Sequence, residues 1–140
     1  MKKLSAFFIT VLFVLVGCSL KQGAQLTDQS GTPSVFCKVV QQPHPLLMGT
    51  WECSFLRYKK DDNYFKYTLV KHADKYALYQ QRTWRSGRKK KMDWVAWTIN
   101  GATIYGEPRK YGVRIFVEGN DVYYTIRGLD NPVKMTRVDG

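Results

Sequence analysis

The sequence predicts an all-β domain, a small antiparallel up-and-down β-barrel of about eight strands. Three observations carry this expectation. Short runs rich in Val, Ile, Tyr, Phe and Trp recur at spacings of about ten to twelve residues from Met48 onward. Turn residues separate the runs, and Asn100-Gly101 is the sharpest hairpin signal among them. No stretch between them keeps a helical apolar period for about ten residues. Closing such a meander into a barrel removes the edges that would otherwise pair with other chains. Eight strands enclose an interior that side chains fill, or that holds one small ligand.

The predicted strands are residues 48–58, 64–71, 76–84, 92–99, 102–105, 112–117, 122–127 and 133–138. The first three are closed by Lys59-Lys60-Asp61-Asp62-Asn63, by His72-Ala73-Asp74-Lys75 and by the run from Arg85 to Lys91. Asn100-Gly101, Gly106-Glu107-Pro108, Glu118-Gly119-Asn120-Asp121 and Gly128-Leu129-Asp130-Asn131-Pro132 close the next four. Alternation assigns the core face. Trp51, Cys53 and Phe55 share one side of the first strand, and Phe65, Tyr67 and Leu69 one side of the second. Val95, Trp97, Ile99, Val113, Ile115, Val117, Val122, Tyr124 and Ile126 extend the set. Tyr64, Tyr79, Trp94, Phe116 and Tyr123 fall on the opposite parity and are expected at partly exposed positions. Upstream, residues 35–40 read as a strand or a strap, ended by Pro43 and Pro45.

The N-terminus has a different character. Met1-Lys2-Lys3 precedes thirteen uncharged residues, 4–16. That is too short for a membrane-crossing helix, which needs about 20 residues, and it fits a secretory h-region. It ends in Leu15-Val16-Gly17-Cys18, which resembles the lipobox of bacterial lipoproteins. The resemblance implies cleavage before Cys18, a diacylglyceryl group on its thiol and acylation of its amine. Two or three chains would then anchor the protein stably, where one gives marginal binding. The implied organisation is a signal peptide over 1–17, a lipidated Cys and polar tether over 18–34, and a β-barrel domain with its strap over 35–140. Ser19 after the Cys resembles the pattern of lipoproteins sent to the outer membrane, which implies a periplasm-facing location.

The 140 residues carry 22 Lys+Arg against 11 Asp+Glu, a formal charge of +11. Removing 1–17 takes away Lys2 and Lys3 and leaves 20 cations against 11 acids, about +9. A basic surface suggests an acidic partner. In the envelope that partner is anionic lipid or an envelope protein, and nucleic acid drops out.

Pro45-Leu46-Leu47-Met48-Gly49-Thr50-Trp51 resembles the turn and Gly-x-Trp that open the first strand of lipocalins and their calycin relatives. Arg137, on the last predicted strand, stands where such families place an Arg over the Trp. The resemblance spans residues 45–138 and implies a barrel in which Gly49, Trp51 and Arg137 meet. A cation–π contact of that kind contributes about 0.5–2 kcal/mol. The chain is shorter than the family and has no Thr-Asp-Tyr motif.

With Cys18 lipidated, Cys37 and Cys53 remain. In an oxidising compartment the two are expected to form a disulfide, which would close a loop of about 15 residues and stabilise by about 3 kcal/mol. Two separately buried thiols are the alternative, because Cys53 shares parity with Trp51.

Arg82, Trp84, Arg85, Arg88, Lys89, Lys90 and Lys91 crowd six cations into ten residues with no acid, and Trp94 follows. They are candidates for an anionic surface, at about 1 kcal/mol per cation near an anionic membrane, with the tryptophans at the interface. A solvated hairpin tip has the same composition. His44 and His72 belong to no readable triad, and no metal-ligand or phosphate-loop spacing is present. The sequence therefore predicts no enzyme, no cofactor and no metal. The expected function is a membrane-anchored binding module for an envelope component, a small apolar ligand or a protein partner. The alternatives are an assembly factor docking on anionic lipid through the basic hairpin, and an inhibitor lipoprotein.

Overall fold

The structure, a computed structural model, describes residues 31–138. The expected signal peptide, the lipobox with Cys18 and the tether as far as residue 30 lie outside the described residues.

Eleven strands follow one another: β1 (Lys38–Gln41), β2 (Gly49–Arg57), β3 (Asp61–His72), β4 (Lys75–Trp84), β5 (Lys89–Val95), β6 (Thr98–Asn100), β7 (Thr103–Tyr105), β8 (Arg114–Glu118), β9 (Asp121–Thr125), β10 (Val133–Lys134) and β11 (Thr136–Arg137). Two short 3-10 turns, Pro45–Leu47 and Arg109–Tyr111, are the only helical segments among the described residues. The chain is all-β. One sheet has the order β11-β2-β3-β4-β5 and the other β1-β6-β7-β8-β9-β10. All neighbours are antiparallel except β1, which runs parallel to β6.

Two of the predicted strands are each shared between the sheets. Residues 92–99 divide at Ala96-Trp97, with β5 in one sheet and β6 in the other, and residues 133–138 divide at Met135. Trp97 and Met135 are both buried. A large apolar side chain at each corner turns the backbone around the core. Among the described strands the hydrogen bonds form two sheets joined at these corners, not one closed ring.

The hairpins are tighter than the turn composition suggests. Tyr58 and Lys59, Ala73, and Arg85 with Ser86 adopt left-handed backbone angles, so β3 and β5 begin three residues earlier than predicted. Asn100-Gly101 makes its hairpin, with Gly101 at a φ of +60°.

The core gathers the predicted inward face. Trp51, Cys53, Phe65, Tyr67, Leu69, Trp97, Ile99, Val113, Ile115, Val122, Tyr124 and Ile126 are buried together, and Phe55, Val95 and Val117 pack at its margin. Leu47, Leu78, Ile104 and Met135 join them. Each such side chain contributes about 1.5–3 kcal/mol by leaving water. The five opposite-parity aromatics are half-buried, and two pairs touch, Tyr79 edge-on to Trp94 and Phe116 stacked on Tyr123.

One end of the core is closed. The Tyr67 hydroxyl donates to the Leu47 carbonyl at 3.0 Å, which ties the 3-10 turn Pro45–Leu47 across it. The strap enters at the same end, where Phe36 stacks on His72 and the Cys37 N–H donates to the Tyr76 carbonyl. At the opposite end stand the β2–β3 and β4–β5 hairpins.

Candidate functional site: an arginine-rich cavity

The open end holds a cavity of about 380 Å³. Its position follows from where the alternation on the long strands changes chemistry. Along β2 the inward residues are Trp51, Cys53 and Phe55, and the next in phase is Arg57. Along β4 they are Leu78 and Gln80, and the next are Arg82 and Trp84. The core face therefore becomes cationic as it leaves the core. Arg57, Arg82 and Arg85 line the cavity with Asn63 and Thr83, and no carboxylate, histidine or cysteine lines it.

Aromatic rings make its floor and walls. Tyr124 stacks on Phe65 at 4.3 Å between ring centres and lies 5.3 Å from Phe55. Tyr64, Trp84, Tyr111 and Ile126 complete the lining. Burial pushes the Tyr124 phenol above its ordinary range, with Arg82 and Arg57 pulling weakly the other way. Tyr64 is pushed up as well, by burial and then by the hydrogen bond it donates to the Glu52 carboxylate at 2.6 Å.

The arginines are held differently. Arg57 Nε donates to the Arg127 carbonyl at 2.8 Å, and its guanidinium lies 5.1 Å from the Tyr58 ring. The Arg82 guanidinium lies 4.8 Å from the Trp84 ring. Its Nε is shut off from solvent and has no hydrogen-bond partner among the described residues. A buried charged donor of this kind costs on the order of 1–3 kcal/mol or more unless it gains an acceptor.

Compared with protein-family models, curated proteins and solved structures, the chain matches none.

The predicted hairpin cluster does not form one surface. Strand alternation sends Arg82 and Trp84 to the cavity side, with Lys89 and Lys91 opposite them on β5. Lys90 and Trp94 face the other way, where Trp94 meets Tyr79. Arg85 and Arg88 are in the turn, and the Arg88 side chain donates back to the Arg85 carbonyl. Two carboxylates temper the cluster. Asp93 accepts from Gln80 at 2.8 Å and pairs with Lys91 at 3.5 Å. Asp61 accepts from the Ser86 N–H at 2.9 Å and from Asn63.

Gly49 has a φ of +89° at the entry to β2, where a side chain would be strained. Arg137 lies opposite Trp51 in the ladder, with its guanidinium 4.8 Å from the indole. Both side chains donate to the Met48 carbonyl, so the pair also fixes the chain leading into β2.

The expected Cys37–Cys53 disulfide is corrected. Both cysteines are free thiols. Cys37 Sγ lies 3.8 Å from the Val95 carbonyl, at the level of Leu78, Leu69 and Gly49 in the ladder. Cys53 is four residues further along β2, about 13 Å away along the strand. That separation alone exceeds what a disulfide spans between its Cα atoms. Burial pushes the Cys37 thiol up to about 11 and the Cys53 thiol up to about 12.

The histidines have structural places. His44 Nδ1 accepts the Leu46 N–H ahead of the 3-10 turn, and His72 stacks on Phe36. Among the described residues no cluster of His, Cys, Asp or Glu could hold a metal.

The cavity residues Phe55, Arg57, Asn63, Tyr111 and Tyr124 were not predicted as a site. For Arg57 and Arg82 a signal was present, a charge in phase with the core face. Tyr111 had none, because the loop that brings it to the rim is placed by the Arg127 N–H donating to its carbonyl.

Proposed function

We propose that the chain is a lipid-anchored envelope protein whose lipocalin-like barrel binds a small ligand in its open mouth, without catalysis. The carrying observation is the cavity of about 380 Å³ between the sheets, closed below by packed aromatics and open at the hairpin end. Its volume falls in the range of small-molecule sites. A lining without carboxylate, histidine or cysteine favours binding over acid–base or nucleophilic chemistry. Arg137 over Trp51 and the Gly49 entry support the lipocalin-like reading of the two sheets. The lipobox and hydrophobic leader support the anchor and the outer-membrane location facing the periplasm.

The strap gives this arrangement a direction. The chain enters the domain at the closed end, beside His72 and Tyr76, and β4 carries the fold about 30 Å from there to the hairpin tip. The polar segment over residues 19–34, read from its composition as a tether, would reach roughly 20–24 Å r.m.s.. On this reading the mouth is held away from the anchoring membrane. The rival role, docking of the basic hairpin on anionic lipid, has exposed cations around the tip in its favour and this entry geometry against it.

The test is occupancy. The protein is purified from envelopes with its anchor intact, exchanged into lipid nanodiscs, denatured and analysed by mass spectrometry for released small molecules. The same is done with Asn63→Trp, which puts an indole into the cavity wall. A compound released from the wild type and missing from Asn63→Trp supports the reading. Identical released material from both would sink it.

A further inference from the structure

We propose that the cavity is a site for a small aromatic carboxylate, with Arg82 as its anion anchor. The inference deepens the ligand-binding reading and rests on it.

Charge is the first observation. Three arginines line the cavity and no carboxylate does. Asp93 pairs with Lys91, and Asp61, which accepts from Ser86 and Asn63, stands behind the lining rather than in it. A cleft with one sign of charge and apolar walls concentrates the opposite charge.

The second observation is the state of Arg82. Its Nε is buried and has no partner among the described residues, and the guanidinium lies 4.8 Å from the Trp84 ring. A guanidinium edge offers two parallel N–H donors, which match the two oxygens of a carboxylate. Nε itself has no accessible surface, so a carboxylate in the cavity would engage the terminal nitrogens of the guanidinium.

The third is shape. Beneath the arginines lie the stacked rings of Phe65 and Tyr124, with Phe55 beside them. Flat rings pack well against such a floor. A volume of about 380 Å³ lies near the lower end of ligand sites, enough for one or two fused rings and too small for a two-chain lipid.

The test titrates the full chain in neutral-lipid nanodiscs with 2-naphthoate and, separately, with its uncharged analogue 2-naphthamide. Binding is read by calorimetry and by quenching of tryptophan fluorescence. The expected result is that naphthoate binds about tenfold more tightly than naphthamide, the difference a charge-assisted hydrogen bond supplies. Arg82→Met, which keeps the stem over Trp84, should erase the difference, and Arg82→Lys should restore part of it. Arg88→Met, on the hairpin tip, should leave it in place. Equal binding of the two compounds to the wild type would overturn the anion proposal and leave the ligand-binding reading standing. Loss of the preference in Arg88→Met as large as in Arg82→Met would overturn it too, since the general field of the protein would then be the cause. Binding of neither compound would count against the cavity as a ligand site at all.

Discussion

Cys53 lies between Trp51 and Phe55 on the inner face of β2, and its thiol and that of Cys37 are held protonated by burial. Two predictions follow from that. At pH 8 the folded protein should react with a thiol reagent at both positions far more slowly than the urea-unfolded protein, and non-reducing mass analysis should find both thiols free. The second concerns stability. In the unfolded chain a thiol loses its proton near its ordinary value of 9.0, whereas in the fold Cys53 keeps it to about 12. Between those values the unfolded state binds fewer protons, so stability must fall as pH rises through that window. The urea midpoint should therefore be lower at pH 10 than at pH 8, with a shallower fall in Cys53→Ala. A slope unchanged by that substitution would assign the effect to other groups, Cys37 first because burial raises its thiol from the same ordinary value, then Tyr64 and Tyr124. Arg137 gives a third residue-scale outcome. Replacing it by Met removes the cation from the Trp51 face and the bond to the Met48 carbonyl. Chemical denaturation should show a loss of about 1 kcal/mol.

At the scale of elements, the strands of the first sheet were legible because their chemistry alternates. β2 and β3 each keep an apolar face in phase for several residues, and that period alone selects a half-buried strand. The second sheet is built of shorter pieces, and there the turns carried the reading, Asn100-Gly101 above all. The corners were not legible. Residues 92–99 alternate without interruption through Trp97, so nothing local shows that the chain changes sheets at that point. Only the packing of Trp97 against Phe65, rings 6.2 Å apart and nearly parallel, reveals the bend. Trp97→Ala should therefore cost about 3–5 kcal/mol, and urea titration of the variant checks it. Gly106 marks another contact that sequence could not place. Its N–H donates to the Val113 carbonyl, and a Cβ built there would lie 2.6 Å from Val113 Cβ. Gly106→Ala should destabilise by about 1–3 kcal/mol through overpacking, and a Tm within a degree of wild type would contradict that close approach.

Over the whole molecule, three groups of cations within the formal charge of +11 have different places. Lys2 and Lys3 belong to the proposed leader. Some of the hairpin cations stay at the exposed tip, and others turn inward to meet the cavity. On the proposed reading the anchor is tested directly. The wild type should carry a lipid mass on Cys18, and Cys18→Ala should lack it and stay uncleaved at that position. What the sequence determined by itself was the class of the fold, its strands and most of its core. These depend on local periodicity and turn chemistry, which are written residue by residue. The lipocalin resemblance implied the meeting of Trp51 with Arg137, which the pairing of β11 with β2 produces. Tertiary structure alone decided three things. It separated Cys37 from Cys53, because strand register sets distances that sequence spacing does not. It split a continuous run of cations between two faces. It also brought Arg57 and Arg82, from strands separated by β3, around the rings of Phe55, Phe65 and Tyr124. A cavity exists only where several strands end together, so its lining is a property of the sheet and not of any one segment.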